Sequence, residues 1–108
     1  MYTLEVVSGP HDGKRWIFEH EITIGRDENV ALACLTLDRY VSRKHAEVRE
    51  EQGSLVLVDL SSRNGTKIDG QSVEPRILLS PGQIFLVGRT KLRVSPGTPS
   101  QPALGSRT

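Results

Sequence analysis

Short runs in which apolar and polar residues alternate recur along the chain, separated by clusters of turn formers. Residues 4–7 (Leu-Glu-Val-Val), 15–18 (Arg-Trp-Ile-Phe), 21–24 (Glu-Ile-Thr-Ile) and 46–49 (Ala-Glu-Val-Arg) read as strands, the last two in strict period two. Residues 55–60 form a denser apolar run suited to a strand buried on both faces. Residues 66–68 and 71–73 flank Asp69-Gly70, a pair that fits a type I′ hairpin turn. Residues 76–79 end at Ser80-Pro81-Gly82, and residues 83–87 and 91–94 pair naturally around Gly88-Arg89-Thr90. No amphipathic helix of three turns is visible, and residues 27–37 read as loop or short strand. Strand runs spaced about eight to twelve residues apart predict an all-β sandwich or barrel.

Composition narrows the picture. At 108 residues there is room for one domain. From Ser95 onward prolines and small polar residues replace the alternation, which predicts a folded unit over residues 1–95 and a disordered Pro/Ser/Gly-rich tail or linker start over 96–108. Aromatic residues are 5% of the chain, too few to line a large aromatic ligand box. The 14 basic and 13 acidic residues leave a net charge of +1, which gives no bulk attraction to nucleic acid or anionic membrane. One cysteine, Cys34, rules out an internal disulfide, and no metal-ligand spacing surrounds it. The first residues lack a signal-peptide pattern and no apolar stretch is long enough to span a bilayer, so the expectation is an intracellular, cytoplasmic protein.

Candidate chemistry is concentrated in three turn segments: Ile24-Gly25-Arg26-Asp27, Val41-Ser42-Arg43-Lys44-His45-Ala46, and residues 59–66, which contain Ser62-Arg63-Asn64-Gly65-Thr66. All three could meet at one end of a sandwich, where loops cluster. Arginine presents a planar fork of donors, serine a hydroxyl, and asparagine an amide that both donates and accepts. Donors in excess of carboxylates make an anion site. A phosphate monoester suits it, with about −1.5 to −2 charges and three acceptor oxygens.

In these residues the sequence resembles the forkhead-associated (FHA) domain, a phosphothreonine-reading module. The resemblance rests on Gly25-Arg26, Ser42-Arg43-Lys44-His45 and Ser62-Arg63-Asn64-Gly65-Thr66, in that order, and extends over nearly all of residues 4–94. It implies an FHA-type sandwich of about eleven short strands that binds a peptide across loops at one end. It also implies that Arg26 and Ser42 grip the phosphate, with Arg43 adding a second cation. Asn64 would hydrogen-bond the ligand backbone, with Arg63 and Tyr40 beside it on the peptide-binding surface. Gly25, His45 and Gly65 would support the loops. The sequence departs from the family pattern at Arg63, where many members carry a small hydroxyl residue, and in a slightly longer stretch between Arg26 and Ser42. Tyr40 stands where some members place an arginine that selects an acidic residue at the third position after the phosphothreonine, so a weaker demand for acid is expected there.

Each residue also has a bland reading. Arg26 could be a solvated charge at a strand end, Ser42 a turn cap, and Asn64-Gly65 a hairpin turn. His45 reads as a hydrogen-bonded brace rather than a base. A Ser42–His45 hydrolytic pair lacks the glycine pattern of a nucleophile elbow, and His11, His20 and His45 lack metal spacing. The functional expectation is a non-enzymatic module, without cofactor or metal, that reads phosphothreonine-containing partner proteins in Ser/Thr kinase signalling and binds neither nucleic acid nor membrane.

Overall fold

The computed structural model describes residues 1–98. The segment from 99 onward, and with it most of the expected tail, lies outside the described residues. Eleven strands form two sheets: β1 (Tyr2–Ser8), β2 (Arg15–Phe18), β3 (Glu21–Gly25), β4 (Ala33–Cys34), β5 (Ala46–Glu51), β6 (Ser54–Asp59), β7 (Thr66–Ile68), β8 (Gln71–Ser72), β9 (Arg76–Leu79), β10 (Ile84–Val87) and β11 (Thr90–Pro96). One sheet has the order β2-β1-β11-β10-β7-β8 and the other β4-β3-β5-β6-β9. The all-β sandwich read from the alternation is therefore the fold. Among the described residues there is no helix, and so none long and apolar enough to cross a membrane.

Period-two alternation places one face of each strand inward. Leu4 and Val6 of β1, Ile22 and Ile24 of β3, Ala46 and Val48 of β5, Leu55 and Leu57 of β6, and Leu92 and Val94 of β11 meet in a single core with Phe85 and Val87. Fully burying side chains of this size contributes about 1.5–3 kcal/mol each, so the inter-sheet layer dominates stability. In β6, Val56 is buried although it points away from this core. Its register neighbours there are Arg49 and Leu78, whose long side chains flank it on the outer face. The doubly buried reading therefore holds for residues 55–57, while residues 58–60 are only partly covered.

Asp69 and Gly70 both have positive φ (49° and 78°) between paired Ile68 and Gln71, as a type I′ turn requires. Asn64-Gly65 is different. It joins β6 to β7, which belong to opposite sheets, so it is a crossing and not a hairpin. Of that pair only Gly65 has positive φ. Within residues 27–37 the structure has the two-residue β4, which pairs in parallel with β3 through Ile24–Ala33 and Gly25–Cys34.

Candidate functional site

The segments after β3, before β5 and between β6 and β7 converge on one pole of the sandwich, joined by the Gly88-Arg89 turn between β10 and β11. The longest of these segments, between β4 and β5, is pinned from below. Leu35 and Val41 enter the core, and Asp38 is buried at 2% exposure. The Asp38 carboxylate accepts from Tyr40 N–H (3.0 Å), from Arg89 N–H (2.8 Å) and from the Thr90 hydroxyl (2.7 Å). A buried charge held by this many donors makes the loop a rigid part of the scaffold.

Gly25 seats the next loop directly against β3. Arg26 N–H donates to the carbonyls of Ser42 (3.0 Å) and Arg43 (3.1 Å), and Asp27 N–H donates to Arg43 (3.3 Å). A Cβ at residue 25 would lie 2.0 Å from the Arg43 carbonyl oxygen, so the two backbones can approach this closely only at a glycine.

His45 is fully buried and ties three segments together. Its Nδ1 accepts from Ser42 N–H (3.0 Å), which leaves the proton on Nε2 to be donated to the Gly65 carbonyl (2.9 Å). Its own N–H donates to Ile24, and its carbonyl accepts from Leu60 N–H. Burial pushes the imidazole pKa below the usual histidine value, with hydrogen bonding to Gly65 and the charges of Asp59 and Asp38 acting against that shift. The β1–β2 loop is held in a similar way: His11 Nε2 accepts from Leu37 N–H (3.0 Å), and partial burial and Lys14 push its pKa down against the pull of Asp38.

Two histidines that act as acceptors must stay neutral, and this sets a pH dependence. In the unfolded chain each takes up a proton near pH 6.5, whereas in the fold each does so only at lower pH. Between those values the unfolded state binds more protons. The stabilisation is thus complete above about pH 6.5 and is lost as pH falls through the folded values. The urea midpoint of the free protein is expected to be lower at about pH 5.5 than at about pH 7.5. An unchanged or higher midpoint in acid would contradict the neutral-acceptor assignment.

Around this frame lies an open cleft of about 310 Å³ lined by Arg26, Arg39, Tyr40, Val41, Ser42, Arg43, Arg63 and Asn64. Its lining contains four arginines and no carboxylate. The arginines divide by location. Arg15, Arg49, Arg76 and Arg93 on the strands form ion pairs with Glu5, Glu47 or Glu51. Among the described residues Arg26, Arg39, Arg43, Arg63 and Arg89, all at the loop pole, form none. Each is exposed, so positive charge is concentrated at this pole, with Asp27 and Glu28 beside Arg26 and Arg43 and Asp38 buried beneath.

Ser42 has a directed hydroxyl. Its Oγ accepts from Arg63 N–H (2.9 Å), which leaves its own hydrogen available to a ligand. Arg63 makes that contact through its main chain and is itself among the residues lining the cleft. Asn64 donates through Nδ2 to the Tyr40 carbonyl (2.8 Å), leaving Oδ1 and a second N–H to face outward. Asp59 shapes the same turn by accepting from the Ser62 N–H and hydroxyl and from the Thr66 hydroxyl. The structure therefore brings Arg26, Tyr40, Ser42, Arg43, Arg63 and Asn64 into one cleft, with Gly25, His45 and Gly65 in the frame beneath it.

Sequence reasoning missed Asp38, Asp59 and the lining role of Arg39. A signal existed for their partners. Thr66 and Thr90 begin the inward alternations Thr66-x-Ile68 and Thr90-x-Leu92-x-Val94 and are fully buried. A polar residue in such a place needs a buried partner.

The fold is thus an all-β, two-sheet sandwich whose cleft is lined by residues on loops at one pole. The chain belongs to the FHA domain family, whose model matches residues 22–88. It is 35% identical over 92 residues to the glycogen accumulation regulator GarA of Mycolicibacterium smegmatis, a match covering 82% of this chain and 55% of that protein. The chain thus spans about half the length of the curated relatives it matches. Its fold superposes on the FHA domain of the CT664 protein from Chlamydia trachomatis with a TM-score of 0.81 at 26% identity, covering 90% of this chain and 98% of that one. It also superposes, with a TM-score of 0.75 at 29% identity, on a domain from a structural and functional analysis of phosphothreonine-dependent FHA domain interactions, covering 91% and 98%.

Proposed function

We propose that the cleft binds phosphothreonine in a segment of a partner protein, and that the chain is an interaction module in Ser/Thr kinase signalling. The observation that carries this reading is the exposed lining of arginine, serine and asparagine without a carboxylate, on loops fixed before any ligand arrives. Arg26 and Arg43 supply the charge and the Ser42 hydroxyl a directed donor. Asn64 bonds the ligand main chain, and Arg63, Arg39 and Tyr40 form the walls along which the peptide runs. Charge-assisted bonds to a dianion discriminate phosphate from a free hydroxyl.

The module recognises its ligand and does not transform it. His45 uses both ring nitrogens in the frame, and its contact with Ser42 is to the main chain, so it is not placed to take the hydroxyl proton. The regulator role in the name of the relative GarA supports a binding module rather than an enzyme.

Calorimetric titration with a degenerate phosphothreonine pool, its unphosphorylated twin and its phosphoserine twin tests the reading. Binding in the micromolar range, about −8 kcal/mol, is expected for the phosphothreonine pool. The phosphoserine pool should bind more weakly, because it lacks a methyl worth roughly 1 kcal/mol of burial. Affinity should fall with added salt and below about pH 6, where the phosphate gains its second proton. Equal binding of all three pools, or none, would overturn the proposal.

A further inference from the structure

We propose that the free edge of β9 is a docking surface for a second copy of this chain, joined edge to edge as an antiparallel strand pair with Leu78 on the two-fold axis. The inference is independent of the phosphothreonine reading. β9 is the outermost strand of its sheet and, among the described residues, pairs only with β6. Asp59 N–H donates to the Pro75 carbonyl (2.8 Å) next to the Val58–Arg76 pair, which fixes the phase of the ladder. In an antiparallel ladder that phase turns the main-chain groups of Ile77 and Leu79 toward β6 and those of Arg76 and Leu78 outward. Among the described residues no strand lies on that side to receive them.

The side chains of the same strand also lack cover. Leu78 is 70% exposed on the outer face of the sheet, and Ile77 is 39% exposed on the opposite face. Edge strands commonly carry a charge that deters pairing with another chain. The one charge in β9, Arg76, instead reaches back across β6 to pair with Glu51 of β5. The strand is also complementary to itself. Paired antiparallel about Leu78, each Leu78 meets the other, Ile77 meets Leu79 and Arg76 meets Ser80, so no like charges face each other. Leu78 borders an open hollow lined by Glu51, Gln52, Ser54, Val56 and Arg76, which gives the facing leucine room. A net charge of +1 per chain adds little repulsion between copies. A contact built on four residues a side falls below the roughly 1,200 Å² of a stable interface, so the dimer is weak and forms with concentration. β9 runs antiparallel to β6, which ends at Asp59 in the turn behind the cleft. The second copy is therefore inverted, and the two clefts open at opposite ends. Such a dimer links two separate ligands and does not grip two sites on one short segment.

The test is sedimentation equilibrium of the full chain without ligand, from about 10 μM to about 1 mM, where the average mass should rise from monomer toward dimer. Over the same range the wild-type Leu78 amide should exchange its hydrogen more slowly, which locates the contact without any substitution. Leu78→Asp and Leu78→Lys each set like charges against each other on the axis and should weaken association about tenfold or more. An equimolar mixture of the two should recover most of that loss, because each aspartate then faces a lysine. Thermal melts confirm that the variants are folded, as the exposure of Leu78 leads one to expect. A monomer at every concentration would overturn the proposal and leave the edge to a strand of some other protein. A dimer with unchanged exchange at Leu78, or one that both charged variants keep, would also overturn it. Failure of the mixture to associate better than either variant alone would remove Leu78 from the axis and the proposal with it. None of these outcomes bears on whether the cleft binds phosphothreonine.

Discussion

Replacing Arg26 with alanine is expected to cost about 2–5 kcal/mol of binding to a phosphothreonine peptide, roughly 30-fold to several-thousandfold in Kd. The size of the effect follows from leaving a bound dianion without its partner in a partly desolvated site. Stability should barely change. The Arg26 side chain is exposed and makes no ion pair among the described residues. The contacts that hold it in place are made by its main-chain N–H, which alanine retains. Arg26→Lys should fall between the two, keeping the charge but losing the fork. Calorimetry and thermal melts on the three proteins decide the matter. Full affinity in a folded Arg26→Ala protein would mean that the phosphate sits elsewhere.

The second large effect is expected at a residue that has no side chain. Gly25→Ala would place a Cβ 2.0 Å from the Arg43 carbonyl oxygen, 2.8 Å from its carbon and 3.2 Å from the Ala31 Cβ. The obstacle is main chain and cannot rotate away. Relief requires the Ser42–Arg43 segment to leave β3, which breaks the bonds from Arg26 and Asp27 N–H to the Ser42 and Arg43 carbonyls. Overpacking and the lost bonds together should cost about 3–5 kcal/mol, a large part of the stability of a domain this size. Unlike Arg26→Ala, this variant should lose stability and ligand affinity together. Urea denaturation followed by titration of the folded fraction separates the two losses. Wild-type stability in Gly25→Ala would show that the loop is not seated as described.

How much of this was legible in the sequence depends on the distance over which each feature is determined. Strands such as β3 and β5 are visible because Ile22, Ile24, Ala46 and Val48 repeat with the period of the pleat. β4 is not, because two residues cannot display a period and only the parallel pairing with β3 defines it. Asn64-Gly65 carries the local signature of a hairpin, but its flanking strands pair with different neighbours, and tertiary structure overrides the dipeptide. Arg26, Arg43 and Arg63 stood out through their turn segments, whereas Arg39 and the carboxylates beneath the cleft did not. Asp38 bonds Thr90, 52 residues away, and nothing near residue 38 marks that partnership.

The polarity of β11 has a consequence for whatever follows it in the chain. The strand starts at Thr90, beside the cleft frame, and runs to Pro96, where Gly97 N–H closes onto the Met1 carbonyl. At about 3.3 Å per residue, its last residue stands about 20 Å from Thr90. Thr98, two residues further on, spans at most about 7 Å of extended chain and falls well short of its own chain's pocket. A modified threonine there could fill only the cleft of a neighbouring molecule, and tethered self-occupancy would need a donor residue considerably further along.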